Sequence, residues 1–423
     1  MTTDIVQRID SCPVVLCNKI LEKQAAGQSL PTINVSSFMG SFLRNRKFRE
    51  IVLQAVILSV VAALLVAMVM NTRASLEAQS LTTGFGFLER STGWDFSFSV
   101  LPFSISDTYR KTMLIGFLNT LLLGFLGIFF ATFIGIIIGL IRTSKNKLFS
   151  SLGTVYVEIF RNVPLILQGI FWYSIVSHLP RPRSAISVGD AFFLSGRGFY
   201  FPVLNIAMWS VLAMILLLLA WLVFLPWLRN RVERPSRYHQ IKRIGWLVLP
   251  VILVGIAFLA RVPDTPLVNL PALKGLNFKG GMRVPPELSA LVIAIALYGG
   301  AYIGEVVRAG LMSVPRGQIE AGLVNGLRNH HIFSRIRLPL AIRAVLPSLT
   351  NQYVQLMKAT TIGIVVGFSD FFMIISTSIN QSGQTLELLA ILMGGFLLIN
   401  LSIAFVMNTI NQKIAIKGYE VKS

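Results

Sequence analysis

Long apolar segments recur through this chain, and they constrain its fold more than any other feature of the sequence. A helix needs about 20 apolar residues to cross a bilayer, because hydrocarbon offers no partner for unpaired backbone groups. Of the 423 residues, 54% are hydrophobic and only 13% are charged, too few charges to cover a soluble globule of this size. The sequence therefore predicts an all-α integral membrane protein, a polytopic bundle of transmembrane helices.

Eight segments meet this length criterion, and we expect each to span the membrane. They comprise residues 51–70, 113–141, 152–176, 203–228, 244–260, 288–307, 345–368 and 388–407. The third and the seventh contain several polar residues and satisfy the criterion least well. The first fifty residues lack the charged-then-apolar pattern of a cleaved signal peptide, so the first span is expected to stay as an anchor.

The distribution of Lys and Arg predicts the orientation of these spans. With both termini in the cytoplasm, the cytoplasmic segments hold 25 basic residues and the opposite side holds 11. Basic residues near span ends are retained on the cytoplasmic side, so we expect a cytoplasmic N-terminal segment 1–50 and a cytoplasmic tail 413–423. The net charge of +20 lies largely in short loops beside the spans, which topology and anionic lipid explain better than nucleic acid.

Residues 113–412 are expected to form the main transmembrane domain, interrupted by a long insertion at 178–286. The insertion contains the fourth and fifth spans, and an inserted pair leaves the orientation of all later spans unchanged. We therefore expect this pair to be peripheral.

The stretches 179–201 and 261–286 on either side of that pair are rich in Gly, Pro and basic residues. Neither has a sustained hydrophobic period, which predicts irregular loops. Pro286 and Glu287 fit the first turn of a helix, where proline is tolerated and a carboxylate complements the helix dipole.

A polar island at residues 317–339 separates the sixth and seventh spans. Apolar residues recur on both sides of Gly326, at Ile319, Leu323, Leu327, Ile332, Phe333, Ile336 and Leu340. This spacing predicts two short amphipathic helices joined by a tight turn at Gly326. A glycine at this position would also allow another group to approach the backbone closely. Pro339 is expected to close the second helix.

Two interpretations of the island stand side by side. Lipid headgroups can hold an amphipathic segment at the interface, or the segment can present a surface to a protein outside the membrane. The order Glu320-Ala321-Gly322, Gly326, Phe333 and Pro339 resembles the EAA loop of ABC-importer permeases and favours the second interpretation. Gly322 stands where a second alanine is usual in that family, and a small residue is kept.

Other motifs extend the resemblance. Residues 301–310, 313–318, 118–121 and 156–165 are similar to recurrent motifs of permeases in the polar amino-acid uptake family. The chain length and the 178–286 insertion resemble the larger permease of general L-amino-acid importers. The resemblance implies a type I importer (MetI-like) permease core in a bacterial inner membrane.

The family further implies the partners of such a permease. These are a second permease, homologous or identical, a dimer of ABC ATPases on the cytoplasmic side, and a periplasmic binding protein that delivers an L-amino acid. Residues 308–343 would form the coupling loop, with Glu320 in polar contact with the ATPase or in local capping. Arg328 has two interpretations, retention on the cytoplasmic face or contact with the partner.

The chain itself offers no catalytic residue, metal site or cofactor site. It has no Gly-x-x-x-x-Gly-Lys-Ser/Thr pattern, so ATP and Mg²⁺ are expected on the ATPase partner. Cys12 and Cys17 have no histidine close by, which disfavours a metal site and excludes a disulfide framework. The chain is therefore expected not to be an enzyme.

Ionisable residues within spans are the remaining functional candidates, because they are expensive in hydrocarbon and usually face a cavity or one another. Those within or at the ends of the predicted spans are Glu158, Arg161, Glu305 and Lys358. A zwitterionic substrate needs donors for its carboxylate and acceptors for its ammonium. Further hydrogen bonds are expected from Asn162, Gln168, Gln355 and Thr361. Glu158 and Asn162 lie one turn apart, so buttressing of the bundle is the alternative role for that pair.

Two rival functions belong to other classes. A secondary transporter driven by ion gradients would need no cytoplasmic docking loop, and a passive scaffold would need no polar residues within its spans. The island argues against the first, and the intramembrane charges argue against the second.

Overall fold

The computed structural model describes residues 46–78, 84–189, 191–231, 235–261, 266 and 268–414. Most of the predicted N-terminal segment, with both cysteines, lies outside these residues, and so does most of the predicted tail. The chain divides into two compact units, Met1–Thr83 and Gly84–Ser423. In the first unit, helix α1 (Arg46–Ala78) coincides with the predicted anchor, and its side chains are exposed from Ile51 to Asn71.

The second unit is built mainly from helices. They are α2 (Tyr109–Arg142), α3 (Lys147–Asn162), α4 (Leu165–Ser177), α5 (Met208–Arg231), α6 (Pro235–Leu259), α7 (Pro286–Met312), α8 (Arg316–Val324), α9 (Asn329–Ile332), α10 (Leu338–Ala359), α11 (Phe371–Ser382) and α12 (Thr385–Ile414). As predicted, α7 begins at Pro286 with Glu287 in its first turn.

The described residues contain five helices long and apolar enough to cross a membrane: α1, α2, α6, α7 and α12. Two bent pairs raise the number to seven if each is one span. The predicted fourth span falls on α5, which is not among these helices. The membrane-spanning helical class is confirmed, while the number eight stays a prediction.

The third and seventh predicted spans are broken rather than straight. Helices α3 and α4 meet at a bend of 102°, and the run Asn329–Val366 meets α11 at 52°. At the first break Val163 is extended and Pro164 follows, because a residue before proline avoids the helical region. At the second, a 3₁₀ turn (Thr360–Val366) ends at Gly367, whose φ of 76° is left-handed.

A close-packed seam between α2 and α7 forms the centre of this unit. A Cβ added to Gly135 would lie 2.6 Å from Cβ of Ile303 and 3.1 Å from the backbone nitrogen of Gly304. Glycine lets the two backbones approach because it has no side chain to separate them. Around the seam lies the largest buried cluster, which includes Leu123, Ala131, Leu291, Ile295, Ile303, Leu356 and Phe368.

The predicted irregular loops of the insertion are wrong in part, because they contain paired strands. Their strands are β1 (Ile186–Val188), β2 (Phe192–Ser195), β3 (Gly198–Phe201), β4 (Val203–Leu204), β5 (Val268–Asn269), β6 (Ala272–Lys274), β7 (Asn277–Lys279) and β8 (Met282–Val284). Strands of two to four residues are too short to show a period. The antiparallel sheet β1-β2-β3-β8 also joins the two loops across the α5–α6 pair, a pairing that no local pattern indicates.

Candidate functional site

The polar island folds into the predicted helix, turn and helix. Helix α8 ends at Val324, Asn325 is its C-cap residue, and Gly326 follows with a φ of 73°. The N–H of Leu327 donates to the carbonyl oxygen of Gly322 at 3.1 Å, which closes the helix end. A Cβ on Gly326 would have nothing within 4 Å in the single chain, so within the chain the glycine is required for its backbone conformation. A close approach to a partner protein stays a prediction.

Gly322 is the point where the two short helices touch. A Cβ at this position would lie 3.1 Å from side-chain atoms of Ile332 and of Ile336. Because the contact is tight, only a very small residue fits here without moving the second helix. An alanine at this position would require the two isoleucine side chains to shift by a few tenths of an ångström.

The second island helix does not end at Pro339, which corrects the sequence prediction. Helix α9 continues through a π-helical turn (Phe333–Arg337) directly into α10, where Pro339 is the second residue. Proline is tolerated in the first turn of a helix, and the wider π turn before it interrupts the regular ladder in which its missing N–H would be needed. The island is thus continuous with the bent span.

The island is fixed to both neighbouring spans. Leu311 and Ala341 are buried together, with Phe333 packed against them. Arg337 Nε donates to the carbonyl oxygen of Leu311 at 3.2 Å. A force on the island therefore reaches the end of α7 and the start of α10 through packed contacts rather than through a flexible loop.

The outward side of the island, which we call the coupling surface, comprises Glu320, Leu323, Val324 and Arg328. All four are exposed, and Val324 is 89% exposed. Neither Glu320 nor Arg328 has a side-chain hydrogen bond or ion pair to another described residue. The predicted local capping by Glu320 is therefore not seen among those residues. Ala321, beside Glu320, is also exposed. An apolar tip with a charged rim is typical of a docking site.

Sequence reasoning missed the apolar part of this surface. The four-residue spacing places Leu323 on the buried side of α8, but its side chain is 51% exposed. The signal is weak in a helix of nine residues, because so short a pattern does not determine which face is covered.

The bent pair α3–α4 places three predicted pathway residues at its exposed break. Asn162 Nδ2 donates to Glu158 Oε2 at 3.2 Å. The Arg161 guanidinium lies 5.0 Å from the ring centre of Tyr302 on α7, within cation–π range. All three polar side chains remain exposed in the single chain.

Gln168 has a structural role at the same break. Its Nε2 donates to the carbonyl oxygens of Phe160 at 3.0 Å and Val163 at 2.9 Å. These carbonyls lose their helical partners where the chain bends. Its buried Oε1 faces no described hydrogen-bond donor. Gln168 thus stabilises the bend, whether or not it also meets substrate.

Glu305 lies apart from the other pathway candidates. It forms ion pairs with Arg142 at the end of α2 and with Arg308 one turn further along α7. Both oxygens are therefore occupied within the chain. The geometry favours a structural clamp between α2 and α7 over a substrate contact.

The remaining candidates lie on α10 and the turn after it. Ser348, Asn351, Gln355 and Lys358 recur at spacings of three and four residues and are all exposed, so they form one polar stripe on the helix. The side chains of Gln355 and Lys358 bond no described residue. Thr361 Oγ1 donates back to the carbonyl oxygen of Lys358 at 2.9 Å, which gives it a local partner.

Comparison with known proteins identifies the family. The model of the family "Binding-protein-dependent transport system inner membrane component" matches residues 131–416, which is more than half of the chain. The chain belongs to this family.

Several members of the family are similar over most of their length. YhdX of Escherichia coli K12, an amino-acid ABC transporter permease by its name, is 36% identical over 82% of this chain and 89% of that protein. The general L-amino acid transport system permease protein AapQ of Rhizobium johnstonii is 34% identical over 89% and 94%, respectively. Among solved structures, an amino acid ABC transporter with histidines covers 72% of this chain and 95% of that chain, at 18% identity and a TM-score of 0.44.

In this chain, the motif Leu118-Asn119-Thr120-Leu121 has a role that the sequence did not reveal. Buried Asn119 donates through Nδ2 to the carbonyl oxygens of Phe98 at 3.0 Å and Ser369 at 2.7 Å. Its Oδ1 accepts from the N–H of Val100 at 3.2 Å. We call these contacts the latch, because they tie the segment before α2 to the second break.

Neighbouring groups complete the latch. Thr120 Oγ1 accepts from the N–H of Phe371 at 2.9 Å, and Asp370 Oδ1 caps α11 by accepting from the N–H of Met373 at 2.7 Å. At the start of α2, Lys111 Nζ lies 2.7 Å from Asp107 Oδ2. This hydrogen bond, together with one from the backbone of Ser104, lowers the pKa of the Asp107 carboxyl.

Proposed function

We propose that this chain is the permease subunit of an ABC importer for L-amino acids, and that it couples to ATPase subunits through the coupling surface. The observation that supports coupling is the exposed apolar tip at Leu323 and Val324, held rigidly between α7 and α10. Burial of such a tip in a partner removes apolar surface from water, which favours association against the entropic cost of binding. The transport role is supported by the match to the binding-protein-dependent transport family and by the similarity to proteins named as amino-acid transport permeases.

The polar stripe on α10 supports a pathway in this part of the molecule. Polar side chains in a membrane-spanning helix are expensive when they face lipid and usually face a cavity or another protein. Ser348, Asn351, Gln355 and Lys358 are exposed in the single chain. A second permease, homologous or identical, would cover the stripe and enclose the substrate path. Arg161 and Lys358 would contact the substrate carboxylate, and Glu158 its ammonium.

The remaining partners follow from the same proposal. ATP and Mg²⁺ would be bound by a dimer of ABC ATPases at the cytoplasmic side, and a periplasmic binding protein would deliver the amino acid. Closure of the ATPases would move the island, and the packed contacts at Leu311 and Ala341 would transmit this motion to α7 and α10 as a rocking of the bundle. Both termini would lie in the cytoplasm of a bacterial cell.

A matched pair at Gly326 tests the coupling. Valine cannot adopt the left-handed backbone without strain, whereas asparagine tolerates it. In proteoliposomes with the complete importer, Gly326→Val is expected to abolish ATP-driven uptake, and Gly326→Asn to retain most of it. Equal uptake by both variants would overturn the coupling assignment.

Gel filtration of both variants serves as the control, since each should assemble with its partners before uptake is compared. Uptake by the wild-type chain with an ion gradient and no ATP would instead support the secondary transporter.

A further inference from the structure

The paired strands of the insertion form a small folded unit, which we call the cap (residues 178–204 and 268–284). Its four-stranded sheet is covered on one side by the β6–β7 hairpin. Phe278 of this hairpin packs 4.5 Å from the ring of Phe193 and 4.8 Å from the ring of Tyr200, measured between ring centres. The Tyr200 hydroxyl also lies 2.9 Å from Asn277 Oδ1. The cap is therefore an ordered surface rather than a loose loop.

The cap and the coupling surface lie at opposite ends of one helix. Strand β8 ends at Val284 and α7 begins at Pro286, while α7 ends at Met312 and α8 begins at Arg316. A helix of this length, 27 residues, rises about 40 Å. When the coupling surface faces the cytoplasm, the cap faces the outside.

A cavity of about 520 Å³ opens in the cap and is lined by three arginines, Arg181, Arg183 and Arg197. Arg197 is held in place, because its guanidinium donates to the carbonyl oxygen of Leu276 at 3.4 Å and its own carbonyl accepts from Arg283 Nε at 2.9 Å. None of the three pocket arginines forms an ion pair with a described carboxylate. We call this cavity the arginine pocket.

The charge of the cap is unusual for the outer side of a membrane protein. Residues 178–204 and 268–284 together contain six Lys and Arg but only one Asp and no Glu. Short outer loops are normally depleted of basic residues, although long loops translocate regardless of charge. Membrane orientation therefore does not account for the excess of basic residues in the cap. Recognition of an acidic surface does account for it.

We infer that the arginine pocket docks an acidic surface of the soluble protein that delivers substrate to the permease. The inference rests on the proposed function, because it takes that protein as the partner. Arginine suits this role, since its planar guanidinium binds carboxylates through two parallel hydrogen bonds. Complementary charge also speeds association and selects the correct partner.

The position of the pocket links docking to the pathway. Gly196, at the turn between β2 and β3, lies against the end of α4: a Cβ there would be 2.6 Å from the carbonyl oxygen of Ser177 and 2.7 Å from that of Leu179. Helix α4 runs from this contact back to the break at Pro164. A protein docked at the arginine pocket would therefore act on the end of α4, which belongs to the bent pair α3–α4.

The test uses the complete importer in vesicles of zwitterionic lipid and the purified binding protein of the same transport system. ATP hydrolysis is measured against the concentration of binding protein. Reversal of two pocket charges, Arg181→Glu with Arg183→Glu, is expected to raise the half-saturating concentration about tenfold or more. The pair Arg181→Lys with Arg183→Lys keeps the positive charge but loses the paired hydrogen bonds, so its half-saturating concentration should lie between those of the wild type and the reversed variant. High salt should weaken the wild type more than the reversed variant.

A matched control reverses two charges elsewhere. Lys145→Glu with Lys147→Glu makes the same change in net charge at the junction of α2 and α3, and it should leave the half-saturating concentration unchanged. Gel filtration shows whether each variant assembles.

An unchanged half-saturating concentration in the Arg181→Glu and Arg183→Glu variant would overturn the docking inference and leave the proposed function standing. An effect that appears only when anionic lipid is added would also overturn it, by showing that the pocket binds headgroups. A wild-type importer whose ATP hydrolysis does not respond to the binding protein would instead contradict the proposed function.

Discussion

The exposed faces of α10 and α12 differ in chemistry, although both helices belong to segments apolar enough for a membrane. On α12, the exposed residues Leu397, Leu401 and Phe405 follow one another at four-residue spacing. On α10, the exposed face after Pro347 is polar and includes Gln355 and Lys358. The first face suits lipid tails, and the second suits protein or water. A side chain that is exposed in the single chain can therefore face either lipid or a protein partner, and its chemistry distinguishes the two cases.

The largest expected effect comes from placing the same charge on each face. Leu398 lies near the middle of α12 and is 59% exposed. Leu398→Lys should reduce membrane insertion by about 2.5–3.5 kcal/mol, the insertion cost of lysine at a helix centre. Gln355→Lys on α10 should insert like the wild type, because that face is already polar. The fraction of newly made chain that resists alkaline extraction from membranes measures both.

An equal loss of membrane insertion in Leu398→Lys and Gln355→Lys would mean that the polar stripe on α10 faces lipid. The comparison of the two faces, and the pathway placed between permeases, would then be wrong.

A second pair compares the buried seam with the exposed face of α12. Gly135→Ala adds a methyl group 2.6 Å from Cβ of Ile303, whereas Gly394→Ala on α12 has nothing within 4 Å. Overpacking should lower the free energy of unfolding by about 2–3 kcal/mol at Gly135. At Gly394, higher helix propensity should raise it by up to about 1 kcal/mol. Thermal melting in mild detergent reports the two shifts, and shifts of the same sign would contradict the close-packed seam.

A smaller effect is expected at the latch, which holds the break that follows α10. Asn119→Ala removes three hydrogen bonds in a buried place and should lower the free energy of unfolding by about 1–3 kcal/mol. Asn400 on α12 is the control, because its buried Oδ1 has no hydrogen-bond partner among the described residues. Asn400→Ala should leave the melting temperature nearly unchanged. Equal destabilisation by the two variants would show that the latch hydrogen bonds contribute little.

The fold of the island could be predicted closely because it depends on the spacing of residues that are near one another in the chain. The spacing of apolar residues around Gly326 gives two helices and a turn, and the structure has both, with Gly326 in the left-handed region. Pro339 was misplaced, since a proline ends a helix or begins one according to the turn before it. No feature of the neighbouring sequence indicates the π turn that decides this case.

The candidate pathway residues were harder to assign. A charged residue within a span indicates only that it needs a polar or oppositely charged group nearby. That group can lie on another helix, which the local sequence does not identify. Glu305 meets Arg142, which is 163 residues away, while Lys358 meets no described side chain. Both residues are candidates on the same grounds in the sequence, and only the arrangement of helices separates a clamp from an exposed pathway residue.

Local patterns in the sequence are enough to establish that this chain is a helical membrane protein, to place its main apolar segments, and to predict a helix–turn–helix island between two of them. These properties follow from burial in lipid and from short-range periodicity, which act within about 20 residues. Tertiary packing set the latch at Asn119 and the sheet of the cap, whereas the break at Pro164 follows from the local restriction on a residue before proline. The latch and the sheet depend on groups far apart in the chain, so their geometry exists only once the helices have packed.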